Sequence, residues 1–288
     1  MQKILVLGGT RFFGKKLVEQ LIREEEDVTI VTRGQVSDPF GDAVKRLKAD
    51  RTDRTALANV LGSSTYDVVY DNICYTPQEA EDAVELFAGR TGRYILTSTQ
   101  SVYPSGEYRK SENDYNPYRY PLPEPYPLEV EYGEGKRLVE AVMFQKAPFP
   151  VAAVRIPIVL GYDDYTRRLH KHIESVQQGL QLGIPNPEAW MCFILSDEAA
   201  SFLAWLRQSN LEGPVNACSE GDLSAGQILS LITEAAGKQA NILSETEQKS
   251  PFGPAVSRYM DTAKAVQAGY TFQPLTDWMP KLIREIIA

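Results

Sequence analysis

Short apolar runs of strand length alternate along the first half of the chain with longer stretches in which apolar residues return every three or four positions. Runs at 3–7, 28–31, 46–49, 68–70, 94–97 and 151–156 read as strands, and segments 14–23, 55–61, 77–88 and 132–145 as the amphipathic helices between them. Ile4-Leu5-Val6-Leu7 and Val151-Ala152-Ala153-Val154 are apolar without alternation, the pattern of strands buried on both faces. This alternation predicts an α/β chain with a Rossmann-type doubly wound parallel sheet and crossover helices. After about residue 160 the rhythm breaks into shorter pieces punctuated by Gly and Pro, as at 179–187 and 251–254. A main domain over 1–160 and a smaller C-terminal lobe over 161–288 are expected, with late strands shared between them.

Composition changes the picture only by exclusion. With 288 residues, 43% hydrophobic and 24% charged, the chain can bury a large core and needs no disulfide staples. Its three cysteines, Cys74, Cys192 and Cys218, show no C-x-x-C spacing, so neither a disulfide framework nor a thiolate metal site is expected. The apolar run at 4–7 is too short for a signal segment or a membrane span, and a reducing, cytoplasmic location without a membrane partner is expected. A net charge of -8 and a pI near 5.0 disfavour nucleic acid as a partner. The two histidines, His170 and His172, are spaced i, i+2 on a predicted helix and face apart, so no metal site is expected and both read as solvated surface residues.

The most informative motif is Gly8-Gly9-Thr10-Arg11-Phe12-Phe13-Gly14, between the first strand and the first helix. A glycine-rich turn there lets backbone N–H groups and the positive helix end hold a pyrophosphate. The end of the second strand reads Val31-Thr32-Arg33-Gly34, with an arginine where NAD-specific sites usually carry an acid. Arg33 and Arg11 together suit the 2′-phosphate of NADP, which is expected over NAD. A second motif, Tyr132-x-x-x-Lys136, puts both side chains on one helix face. With 15 tyrosines in the chain, about 0.7 such matches arise by chance, so its place between the fifth and sixth strands matters more than its spacing.

These residues resemble the extended short-chain dehydrogenase/reductase superfamily, of the NAD-dependent epimerase/dehydratase type. Gly8 and Gly14 match its G-x-x-G-x-x-G fingerprint, and Arg11 replaces the middle glycine. The G-G-T-R-F start is similar to that of an atypical subgroup that includes the chloroplast stem-loop-binding proteins. The resemblance implies a cofactor-binding set of Gly8, Thr10, Arg11, Phe12, Phe13, Gly14, Arg33, Asp50 (facing adenine) and Pro157 (near the nicotinamide amide). It implies catalysis by Tyr132 as acid/base, Lys136 lowering the Tyr132 pKa and holding the ribose, and Thr99 orienting the reacting oxygen, with Ser98 as the alternative hydroxyl. Segments 154–161, 193–199 and 258–270 extend the likeness across the chain. Domain 1–160 would bind NAD(P) and lobe 161–288 the substrate.

From Tyr103 to Tyr132 the chain holds seven of its 15 tyrosines and six of its 18 prolines. Prolines 121, 123, 125 and 127 favour an extended, stiff segment. It is expected either as a lid whose aromatics stack on a sugar or base, or as a surface loop stiffened by proline. By analogy with the superfamily, a homodimer would pack through helices 77–88 and 132–145. The function implied is an NAD(P)-dependent epimerase or reductase acting on a nucleotide sugar or related hydroxyl or carbonyl compound. The alternative is a catalytically weak Rossmann-fold protein that senses nucleotides or binds RNA.

Overall fold

In the computed structural model, which describes residues 1–104, 106–246 and 250–288, the alternation folds as β1 (Lys3–Leu7), α1 (Phe12–Arg23), β2 (Asp27–Thr32), β3 (Lys45–Lys48), α2 (Arg54–Leu61), β4 (Tyr66–Asp71), α3 (Pro77–Phe87), β5 (Thr91–Thr99), α4 (Tyr132–Lys146) and β6 (Val151–Ile156). The remainder supplies β7 (Ile158–Leu160), α5 (Arg168–Gln178), β8 (Gln181–Gly183), β9 (Trp190–Met191), β10 (Phe193–Leu195), α6 (Ser196–Leu206), β11 (Gly213–Asn216), β12 (Leu223–Ser224), α7 (Ala225–Ala236), β13 (Asn241–Leu243), α8 (Ala263–Gln267) and α9 (Leu275–Ile287). Seven strands pair in parallel in the order β11-β6-β5-β4-β1-β2-β3. The order reverses between β1 and β4, and the carboxyl ends of these two strands, Leu7 beside Asp71, open the crevice in which doubly wound sheets bind ligands.

Two-sided burial explains the continuous apolar runs. Ile4, Val6, Val28, Ile30, Val68, Tyr70 and Ile95 join α1 and α6 in one core layer, while Leu5, Leu7, Val31, Val69, Tyr94 and Leu96 join α2, α3 and α4 in the other. The sheet ends at β3, Lys-Arg-Leu-Lys, whose charges suit an edge strand. The opposite edge, β11, comes from beyond residue 160, and its sequence Gly-Pro-Val-Asn is too short to announce a strand.

A third core packs β7, β10, α5, α7 and α9 around Trp278, Ile228 and Phe193. It corrects the reading of the histidines, because α5 is sandwiched and not surface-laid: His170 is 7% exposed and His172 is fully buried. His172 stacks on Phe252 with centroids 4.0 Å apart, and its ring nitrogens meet the Arg168 carbonyl at 2.9 Å and Ser250 Oγ at 2.7 Å.

Of the tyrosine- and proline-rich segment, residues 115–126 form a strap along α4, as a surface loop stiffened by proline would, whereas Tyr103, Pro104, Gly106 and Lys110 lie beside Gln100 and Ser101 after Thr99. Tyr115 donates to the Arg137 carbonyl (2.6 Å), Tyr120 to Glu134 (2.8 Å), and Tyr118 packs on Phe144 with centroids 5.0 Å apart. Lys146 bonds both Tyr126 (2.9 Å) and Glu81 of α3 (2.6 Å), while Gln145 donates to the Pro117 and Tyr120 carbonyls. Extended proline-rich chain leaves its carbonyls free to accept from a helix, and tyrosine pairs an apolar ring with a polar tip. Beneath the strap, fully buried Arg155 binds Glu140 at 2.6 Å, the Tyr103 hydroxyl at 3.0 Å and the carbonyls of Glu112 and Tyr115, tying β6, α4 and the strap together.

Candidate active site

The carboxyl end of β1 turns through Gly8 at φ +83°, a left-handed backbone that strains any residue with a Cβ. A Cβ on Gly14 would lie 2.3 Å from the Gly8 carbonyl oxygen, so only hydrogen fits where helix and turn touch. Arg11 is extended at φ -137°, and its side chain therefore brings no backbone strain to the position where the family pattern has glycine. The strain falls on Phe12, at φ +50°, whose ring packs edge-on against Phe13 and Tyr165. The Lys15 N–H takes the Arg11 carbonyl at 3.1 Å. The N–H groups of Phe12, Phe13 and Gly14 thus have no intrahelical acceptor and suit an anion.

A cavity of ≈ 430 Å³ surrounds this turn. Gly8, Thr10, Arg11, Phe12, Phe13, Gly14, Arg33 and Asp50 all line it, whereas Pro157 is buried between β6 and β7 outside its wall. Asp50 accepts from the Thr52 N–H (3.0 Å) and Oγ1 (2.8 Å), and these bonds, helped by the Arg33 cation, hold its carboxyl below the usual range. Arg51, 3% exposed, floors the cavity, with Nε and Nη2 on Asp71 at 3.2 and 2.7 Å. A glycine turn, free helical N–H groups, three arginines (Arg11, Arg33 and Arg51, the last already paired with Asp71) and the carboxylates of Asp50 and Glu79 line a cavity that fits the adenosine diphosphate half of a dinucleotide.

Thr99 closes β5 and Tyr132 opens α4, which brings the two side chains close together at the crevice. Tyr132 as a whole is 55% exposed, but desolvation around its hydroxyl raises its pKa, while the neighbouring Thr99 side chain and the charge of Arg168 act to lower it. Ser98 points to the other face of β5, where it is 2% exposed and donates to Glu140 at 2.5 Å. Lys136 departs from its expected place beside the phenol. Its ammonium, 2% exposed, donates to the carbonyls of Cys74 (2.7 Å) and Thr97 (2.9 Å), and burial pulls its pKa down. The cation whose charge acts on Tyr132 is instead Arg168, at the start of α5.

Tyr75 joins the two parts. It lines the cavity, its ring lies 4.7 Å from the Lys136 ammonium and 6.5 Å from the Tyr132 ring, and burial, with neighbouring Tyr132 and Tyr165, pushes its hydroxyl pKa up to about 12. Sequence reasoning missed Tyr75, although the polar stretch after the apolar run of β4 marks a strand end at the crevice. Tyr165 comes from the connection after β7 and Arg168 from the first position of α5, where no local pattern announces either as a site residue. Among the described residues no group of His, Cys, Asp or Glu is placed to hold a metal, and no helix is long and apolar enough to cross a membrane.

Residues 4–218 match the family described as NAD dependent epimerase/dehydratase. Chloroplast stem-loop binding protein of 41 kDa b from Arabidopsis thaliana is 34% identical over 115 residues, covering 35% of this chain and 30% of that protein. UDP-glucuronic acid decarboxylase 1 from Xenopus tropicalis is 24% identical over 275 residues, covering 85% of this chain and 63% of that protein. The chain thus spans less than two thirds of the length of the curated relatives it matches. The crystal structure of UDP-glucuronic acid 4-epimerase from Bacillus cereus, in complex with UDP-glucuronic acid and NAD, shares the fold with a TM-score of 0.75 at 18% identity over 99% of each chain.

Proposed function

Because the chain belongs to the NAD-dependent epimerase/dehydratase family, we propose that it transfers hydride reversibly between NADP and a hydroxyl- or carbonyl-bearing carbon of a nucleotide sugar, as an epimerase or reductase. The observation that carries this reading is the juxtaposition of Thr99 at the end of β5 with Tyr132 at the start of α4, next to Tyr75, which lines the glycine-turn cavity. A bound nicotinamide ring would accept and return the hydride. Tyr132 takes the proton of the substrate hydroxyl and gives it back in reverse, while Thr99 donates to the same oxygen and fixes its direction. Lys136 would hold the ribose next to the nicotinamide. Arg168 partly offsets the desolvation that disfavours the phenolate. Arg33, with no carboxylate at the end of β2 to oppose a phosphate, supports NADP over NAD, and Arg11 stands across the same cavity. Gln100 and Ser101 beside Thr99 supply neither an acid nor a base, which ranks dehydration below epimerisation and reduction. The names of the Xenopus and Bacillus relatives support a UDP-sugar substrate.

Incubation with NADP and UDP-glucose or UDP-glucuronic acid, followed by chromatography of the sugar nucleotide and nicotinamide absorbance, tests the proposal. Tyr132→Phe should slow turnover on the order of 100-fold or more while leaving dinucleotide affinity unchanged, and full activity in that variant would refute the assignment. RNA binding has one observation in its favour, the stem-loop-binding Arabidopsis relative, against a net charge of -8. A steeply salt-dependent RNA affinity together with no dinucleotide binding would decide for it.

A further inference from the structure

Among the described residues, two of the three non-glycine positions with positive φ flank one contact. Phe12 (φ +50°) opens α1 at the glycine turn and Arg167 (φ +55°) precedes α5, and between them the Tyr165 ring meets Phe12 edge-on at 6.1 Å and has the Arg11 guanidinium 5.9 Å from its centre. Strained backbone persists only where surrounding contacts fix it, and it gathers at ligand clamps and active sites. Such contacts are present here. Lys16, one turn along α1 from Phe12, donates to Ser196 Oγ and Asp197, both at 2.7 Å, and pairs with Asp163 at 3.3 Å. Gly161 is pressed so closely on the start of α6 that a Cβ there would lie 2.4 Å from Ser196 Oγ and 3.2 Å from the Phe12 ring. Buried Asp164 accepts from the Thr166 N–H (2.9 Å) and Oγ1 (2.5 Å) and from the Arg168 N–H (3.2 Å).

The turn 161–167 is thereby held to α1 at its base and braced from within, while its tip, Tyr165, is 63% exposed and lines the glycine-turn cavity together with Arg11. Its neighbours fix where Tyr165 stands and leave most of its surface free. On its far side the Tyr165 hydroxyl acts on those of Tyr75 and Tyr132. Tyr165 therefore stands between the glycine turn and Tyr132, along the path from the adenosine half of a dinucleotide to its nicotinamide. A pyrophosphate carries the charge that a guanidinium attracts, and a phenol ring supplies apolar cover with a polar tip. The fingerprint glycine that Arg11 replaces has no side chain, so the bridge belongs to this chain's departure from the family pattern. We propose that Arg11 and Tyr165 form a clamp across the middle of a bound dinucleotide, between its adenosine half and its nicotinamide, that slows its release. The clamp rests on the dinucleotide reading above.

Chasing bound NADPH, and separately NADH, from the full chain with excess oxidised dinucleotide while following nicotinamide fluorescence tests this. Tyr165→Ala should release both about tenfold faster than wild type or more, Tyr165→Phe should stay within about twofold because the ring remains, and Arg11→Gly should speed NADPH and NADH alike. Calorimetry should show 5′-AMP, which ends before the clamp, binding wild type and Tyr165→Ala equally. Wild-type release rates in Tyr165→Ala would overturn the clamp and leave the cofactor reading standing. Loss of 5′-AMP affinity in that variant would also overturn it, by making Tyr165 a support of the crevice wall. Faster release of NADPH but not NADH from Arg11→Gly would assign Arg11 to the 2′-phosphate and overturn its half of the clamp. Binding of neither dinucleotide to the wild type would overturn the clamp and the cofactor reading together.

Discussion

Gly14 and Gly8 meet so closely that the first helical turn and the strand-end carbonyl have no room for a methyl group, and neither partner is a side chain that can swing aside. Gly14→Ala should therefore cost about 1–3 kcal/mol of stability, as other overpacked sites do, and weaken dinucleotide binding, both read by denaturant melts and calorimetry. Unchanged melts and affinity would show that the turn opens without cost. This glycine was legible from the sequence because its role is local. The two hydroxyls of β5 end on opposite faces, Thr99 toward Tyr132 and Ser98 bonded to Glu140, a division that follows from strand alternation and not from the family pattern alone. The direction of Lys136 was not legible. Its ammonium follows the Cys74 and Thr97 carbonyls, which come from two other strand ends that no i, i+4 rule brings into view.

The crossover helices and six strands of the sheet follow from periodicity, since each element carries its own apolar face. The strap and α5 do not, because their burial is decided by what packs over them. Prolines 121 to 127 fix an extended shape without saying which surface it lies on, and only Tyr118 on Phe144 and Tyr120 on Glu134 locate it on α4. On α5, burial pushes the His172 pKa from 6.5 down to about 4. The folded chain thus protonates later than the unfolded one, so the contribution of His172 is complete above pH 6.5 and is lost as pH falls from there toward 4. The full span corresponds to about 3 kcal/mol. Urea melts at pH 7 and pH 5 should show a steeper loss for wild type than for His172→Gln, and equal losses would mean that acid destabilisation arises elsewhere.

For the whole molecule, the strap has a consequence for association. It lies along α4 and reaches α3 through Tyr126, Lys146 and Glu81, so the pairing of α3 and α4 with a second copy, expected by analogy, would have to displace it. Sedimentation should give the monomer mass of 32.2 kDa, and a dimer that Phe144→Asp splits would contradict that. The reversal of strand order between β1 and β4 brings the glycine turn, Arg33, Asp50 and Tyr75 to one crevice, and the same strand ends carry Thr99 to Tyr132. All chemistry proposed for the chain depends on a dinucleotide in that crevice. Calorimetric titration of the nucleotide-free protein with NADP and then NAD at one salt concentration tests this most directly, with Arg33→Ala alongside. NADP should bind at least tenfold more tightly than NAD, and Arg33→Ala should erase most of that difference while leaving NAD affinity intact. If neither dinucleotide binds the wild-type chain, the crevice is not a cofactor site and the account fails.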